Sequence, residues 1–147
     1  QLFLGVTFNY GLILGWTSIN AEINFIPLIF YFGAIFWTLG YDTIYGFQDI
    51  KDDEIIGLKS TSIKFKSNPC FFLYVCYSIF LASLLLIGIL MKFNMFYFII
   101  LLIVSIQMFY YQIFNLNFKK PSNCLMSFKS NNLVGILIFI QMLVGKI

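Results

Sequence analysis

The chain has 147 residues, 61% of them hydrophobic and 10% charged, with a net charge of +3 and no histidine, whereas an ordinary soluble domain carries about 25% charged residues. A composition this apolar places the chain in a membrane, and a small net charge without a basic tract leaves no footprint for nucleic acid. The three cysteines, Cys70, Cys76 and Cys124, form no C-x-x-C and have no histidine beside them, so zinc and dithiol chemistry lack their ligands; they read as small buried apolar residues.

Crossing the hydrocarbon core takes about 20 apolar residues, and five runs approach that length. Gln1 leads straight into the first, Leu2 to Ile19, with no initiator methionine or basic signal-peptide region, so the start reads as cut from something longer. Gly11 and Gly15 in this run form a small-xxx-small pair that would admit a close neighbouring helix. After the polar turn Asn20 to Asn24, the second run spans Phe25 to about Phe47, with Pro27 in its first turn and Asp42 near its far end. An ionisable group at that depth costs up to about 3 kcal/mol, so a partner or a wet cavity is expected beside it. Asn68 and Pro69 have the form of an N-cap followed by proline at the first helical position. They open a third run that reaches about Met91. Lys92 to Asn94 is a tight turn, and the fourth run, Met95 to about Asn115, carries Gln107 and Gln112. A polar stretch from Leu116 to Asn132, broken at Pro121, precedes a fifth run, Leu133 to Val144, which is short for a full span. There is no internal repeat, and the chain reads as one all-α, polytopic membrane domain.

Between the second and third runs lies Tyr41 to Ile63, YDTIYGFQDIKDDEIIGLKSTSI, holding Asp42, Asp49, Asp52, Asp53 and Glu54, five of the six acidic residues. At about 100° per residue, Asp49 and Asp53 fall within about 20° of Asp42 if the segment stays helical. Tyr45 borders that stripe and Lys51 points away from it. The loops after the second and fourth runs hold Lys51, Lys59, Lys64, Lys66, Lys119, Lys120 and Lys129, seven of the nine lysines. By the positive-inside rule both loops face the cytoplasm or the mitochondrial matrix. Two readings of the acidic stretch stand: a solvated loop whose charges pair weakly, or a Mg²⁺ site, since Mg²⁺ takes one or two carboxylates and completes its octahedron with water and phosphate oxygens. The D-x-D-x-D-G pattern of a calcium EF-hand is absent.

The pattern Y-D-T-I-Y-x-x-Q-D-x-x-D-D-x-x-I-G-x-K-S-T, from Tyr41 to Thr61, resembles the second Asp-rich motif of the UbiA-type prenyltransferases, most closely the branch that prenylates 4-hydroxybenzoate in ubiquinone biosynthesis. The resemblance extends to Q-L-F-L-G-V-T-F-N-Y-G-L-I-L-G-W at the start, to Phe36-Trp37-Thr38, and to P-S-N-C, F-K-S-N-N and V-G between Pro121 and Gly135. It implies a nine-helix fold of which this chain supplies helices five to nine, with residues 41–66 as an active-site loop. The family's first motif, N-D-x-x-D, is not in this sequence, so an N-terminal half is expected elsewhere and these residues alone are expected to be inactive.

The resemblance further implies transfer of a polyprenyl group from its diphosphate to the acceptor ring in the bacterial inner or mitochondrial inner membrane. Asp49, Asp53 and, as a third candidate, Asp52 would bind Mg²⁺. Lys59 leads the diphosphate contacts, followed by Lys51 and Lys64. Asp42 would serve the acceptor or its proton, with a supporting or metal-bound Asp42 as the alternative, and Tyr45 would hydrogen-bond a carboxylate or face the developing cation with its ring. Gln112 matches a recurrent family glutamine and is grouped with the substrate contacts, whereas Asn115 and Asn117 stand where the family has acidic residues. Lys129 and Asn131 match the tail motif and read as packing or capping the last helix. Other acceptors (a naphthoate, a haem, a chlorophyllide or a homogentisate) keep the same fold, and a cation transporter segment is the reading from another class.

Overall fold

A computed structural model describes residues 1–146. Among them every regular element is helical, and five helical stretches are long and apolar enough to cross a membrane: Leu2–Asn20, Phe25–Gly46, Pro69–Leu90, Met95–Phe114 and Pro121–Val144. Large apolar side chains such as Phe3, Ile19, Phe25 and Met95 cover the outside of the bundle, which suits hydrocarbon as solvent.

The first span is two helices, α1 (Leu2–Phe8) and α2 (Tyr10–Asn20), meeting at Asn9. The Asn9 side-chain amide donates to the Gly5 carbonyl at 2.8 Å, the Ala34 carbonyl at 3.2 Å and Thr38 Oγ1 at 2.8 Å. A buried polar group must be satisfied inside the protein, so Asn9 ties this span to α3 (Phe25–Gly46). The close backbone approach is also here, since a Cβ on Gly5 would lie 3.0 Å from the Ile35 carbonyl oxygen. At Gly11 and Gly15, where the spacing would admit a neighbouring helix, none of the described residues lies within 4 Å of a Cβ position.

Helix α3 is the spine. Asn24 caps it, accepting from the Ile26 amide at 3.0 Å. Two turns apart, Gly33 and Gly40 let Ser83 and Tyr77 of α6 (Pro69–Leu90) come into space that a Cβ would occupy. The predicted Asn68 cap and Pro69 start of α6 are as found, with Asn68 Oδ1 accepting from the Phe71 amide. At the other end of α6, Lys92 adopts φ 52° in the tight turn. Asn94 then caps α7 (Met95–Ile106) and binds the Val144 carbonyl at 2.7 Å.

Beyond Ile106 the fourth span widens into a π-helix, Gln107–Phe114. The fifth span also differs from the sequence expectation. It starts at Pro121, with α8 (Pro121–Lys129) running into α9 (Asn131–Val144), so the span is 24 residues long and the polar stretch before Leu133 is helical from Pro121 on. The polar residues that suggested a loop are partly turned inward: Ser127 and Asn131 are buried.

Four spans meet at a buried hydrogen-bond chain. The Tyr77 hydroxyl donates to Gln112 Oε1 at 2.7 Å, Gln112 Nε2 donates to Ser130 Oγ at 3.1 Å and Asn131 Oδ1 at 3.2 Å, and Trp37 Nε1 donates to Asn131 Oδ1 at 3.0 Å. Cys76 and Cys124 are buried free thiols, as expected, whereas Cys70 is only partly buried.

Candidate functional site

The acidic segment hangs from the end of α3, but it does not continue that helix. Helix α3 ends at Gly46, and Phe47 to Asp49 intervene before α4 (Ile50–Ile55). The single stripe joining Asp42, Asp49 and Asp53 is therefore corrected, because the break removes the helical phase on which it depended. Asp42 stays in α3, half-buried. Asp49 and Asp53 remain one turn apart, linked by the Asp49 carbonyl, which accepts from the Asp52 and Asp53 amides at 3.0 Å each. Gly57, at φ +73°, ends α4. The Leu58 amide reaches back to the Asp53 carbonyl at 2.9 Å and the Gly57 amide to that of Glu54 at 3.3 Å, a Schellman closure that only glycine makes without strain.

The chain then returns to α3. Ser60 caps the short helix α5 (Thr61–Lys64). Thr61 Oγ1 lies 2.6 Å from Thr43 Oγ1, Ser62 Oγ donates to the Thr43 carbonyl at 3.1 Å, and the Thr61 amide donates to Gln1 Oε1 at 2.8 Å. Gly46 has no side chain where Ser62 sits. These contacts give physical roles to residues of the Y-D-T and K-S-T parts of the sequence pattern.

Of the sequence-predicted charges, Lys66 pairs with Glu54 at 2.6 Å, an exposed pair worth at most about 1 kcal/mol. Lys64 lies 5.7 Å from the Phe65 ring centroid. Among the described residues, Asp42, Asp49, Asp52 and Asp53 make no ion pair. Lys51 and Lys59 are exposed. No group of three or more His, Cys, Asp or Glu side chains converges as a metal cage among the described residues. The donor chemistry nonetheless suits Mg²⁺, which needs only one or two carboxylates and takes its other ligands from water and phosphate. Gln48 adds a buried Oε1 without a partner, beside Asp49.

Tyr45 is the one aromatic residue that the sequence singles out here, and the structure supplies a column. Tyr45, 38% exposed, packs on Phe128 at 4.9 Å between centroids. Phe128 meets Tyr41 at 5.7 Å, Tyr41 meets Trp37 at 5.7 Å, and Trp37 stacks on Phe80 at 5.1 Å. The spacing Trp37, Tyr41, Tyr45 at i, i+4, i+8 was the available signal, hidden by the number of aromatic residues. Gln112, grouped with the substrate contacts by the sequence, is fully buried, and both ends of its amide are used inside the bundle. It belongs to the helix packing and is not brought to the acidic segment.

The sequence model described as the UbiA prenyltransferase family matches residues 1–139. The chain is 38% identical to the mitochondrial 4-hydroxybenzoate polyprenyltransferase of Bos taurus, over all of this chain and 40% of that protein. It is 36% identical to the Homo sapiens protein of the same name, again over 40% of that protein, and 33% identical to that of Dictyostelium discoideum, over 32%. The chain thus spans about 40% of the length of the first of these relatives. No solved structure matches it.

Proposed function

Because this chain belongs to the UbiA prenyltransferase family, we propose that the whole polypeptide transfers a polyprenyl group from polyprenyl diphosphate to the ring of 4-hydroxybenzoate. The observation that carries the acceptor is the likeness, along the entire chain, to proteins named for that reaction. The membrane is the mitochondrial inner membrane, with the acidic segment on the matrix side, where the lysines gather.

In the reaction the allylic C–O bond to the diphosphate breaks, the ring carbon ortho to the phenol hydroxyl bonds to the freed carbon, and that ring carbon gives up its proton. Asp49 and Asp53, with Asp52 next to them, would hold Mg²⁺, which when bound offsets the charge that develops on the leaving diphosphate. Lys59, assisted by Lys51 or Lys64, contacts diphosphate oxygens that the carboxylate-bound ion does not reach. Asp42, half-buried near the end of α3, orients the acceptor hydroxyl or takes its proton. Tyr41, Tyr45 and Phe128 wall that end of α3 with ring faces, which shield a cationic carbon from water and stabilise it.

The acceptor is tested with the full-length polypeptide in membranes, given one polyprenyl diphosphate and a panel of 4-hydroxybenzoate, a dihydroxynaphthoate and homogentisate. Prenylated 4-hydroxybenzoate is expected. Product only with another acceptor overturns the assignment of the substrate, and product with none overturns the transferase reading.

A further inference from the structure

Residues 47 to 60 leave α3 and return to it, carrying Asp49, Asp52, Asp53 and Lys59. The two ends of this excursion are fastened by hydrogen bonds of defined direction. Thr43 Oγ1 donates its one proton to the Leu39 carbonyl at 2.6 Å. At the 2.6 Å contact between the two threonine hydroxyls, Thr61 must therefore be the donor and Thr43 the acceptor. Ser62 Oγ donates to the Thr43 carbonyl, and the Gln1 side chain, from the head of the first span, accepts from the Thr61 amide. Thr43 and Ser62 are completely buried, so the bond between them is shielded from water, while the bonds of Thr61 to Thr43 and Gln1 are partly buried. In contrast, the ion pair that ties Glu54 of this segment to Lys66 beyond it is exposed.

We infer that Thr43, Thr61 and Gln1 are positioning residues: they form a latch that holds Lys59, two residues before Thr61, at a fixed distance from the Asp49–Asp53 turn. A diphosphate then meets its lysine and its carboxylates at one spacing. The inference rests on the diphosphate reading of this segment. The latch touches no substrate itself. Its loss therefore weakens binding of the diphosphate donor without altering the acceptor.

The test uses Thr43→Val, Thr43→Ser, Gln1→Met and Gln1→Glu in the full-length polypeptide in membranes. Valine and methionine remove a hydrogen-bond acceptor and keep size; serine and glutamate keep an acceptor oxygen. Thr43→Val and Gln1→Met are expected to raise KM for polyprenyl diphosphate about five- to tenfold, the effect of one lost hydrogen bond of ordinary strength. The KM for the acceptor should stay unchanged and kcat within about twofold. Thr43→Ser and Gln1→Glu should restore the donor KM. Amide hydrogen exchange of residues 47–60 should quicken in the first pair only, and this readout needs no turnover. Wild-type donor KM in both Thr43→Val and Gln1→Met, or a rise in both substrates' KM alike, overturns the latch. A wild-type protein that transfers no prenyl group overturns the functional reading instead, and exchange that quickens in Thr43→Val would then leave a latch without that substrate.

Discussion

Replacing Gln112 with leucine separates two roles that the sequence leaves joined. Leucine fills nearly the same volume, so the change is chiefly the loss of three hydrogen bonds, to Tyr77, Ser130 and Asn131. Two of the partners retain others: Ser130 Oγ donates to the Ser127 carbonyl at 2.7 Å, and Asn131 Oδ1 still accepts from Trp37. The Tyr77 hydroxyl does not, and Tyr77 is completely buried. Stranding one buried hydroxyl costs about 1–3 kcal/mol, and side-chain bonds between membrane helices measure toward the low end, about 0.6 kcal/mol on average and 1.7 at most. The expected loss is therefore about 1–2 kcal/mol. Adding Tyr77→Phe removes the stranded donor and should return about half of it. Reversible unfolding of the full-length polypeptide in bicelles measures both, with KM for the diphosphate followed in parallel. Unchanged stability together with a raised KM would refute the packing role and return Gln112 to the substrate.

Asp49→Asn and Asp53→Asn should each lower turnover about 100-fold or more, since a metal contributes several kcal/mol to such a transition state, while membrane insertion and helix content by circular dichroism stay as in the wild type. Gly40→Ala should destabilise the bundle by about 1–3 kcal/mol, because the added carbon would sit 2.5 Å from the Tyr77 ring; chemical denaturation reads the loss. Gly57→Ala meets no neighbour but forces alanine to φ +73°, a strain of about 1–2 kcal/mol. Its effect should appear as faster proteolysis within residues 50–58 and leave global unfolding unchanged.

The spans were legible because burial in hydrocarbon writes itself as run length, and the Asn68–Pro69 start because capping is local chemistry. The start of the fifth span was not. Helix α8 carries Ser122, Asn123, Ser127 and Lys129, and polarity in a sequence does not say which polar atoms a distant residue will satisfy. Here the Trp37 indole and the Gln112 amide satisfy Asn131, 94 and 19 positions away. The same limit governs the glycines, since Gly11 and Gly15 have the familiar spacing while Gly33 and Gly40 have the neighbours.

In the acidic segment, residue type pointed to Asp49 and Asp53, but the break at residues 47–49 could not be read. No proline marks it, and the glycine that precedes it, Gly46, is there for Ser62 to approach. The latch was hidden for a related reason: Thr61 of the K-S-T stretch and Ser62 after it carry no signal that their partner is Thr43, 18 and 19 positions back.

The most direct measurement of the central claim is transfer of a labelled polyprenyl chain to 4-hydroxybenzoate by membranes containing the full-length polypeptide, with Mg²⁺ and with excess chelator. Ring-prenylated product is expected that requires Mg²⁺ and disappears in the Asp49→Asn, Asp53→Asn double variant. Product formed at the same rate in chelator, or by the double variant, would contradict it.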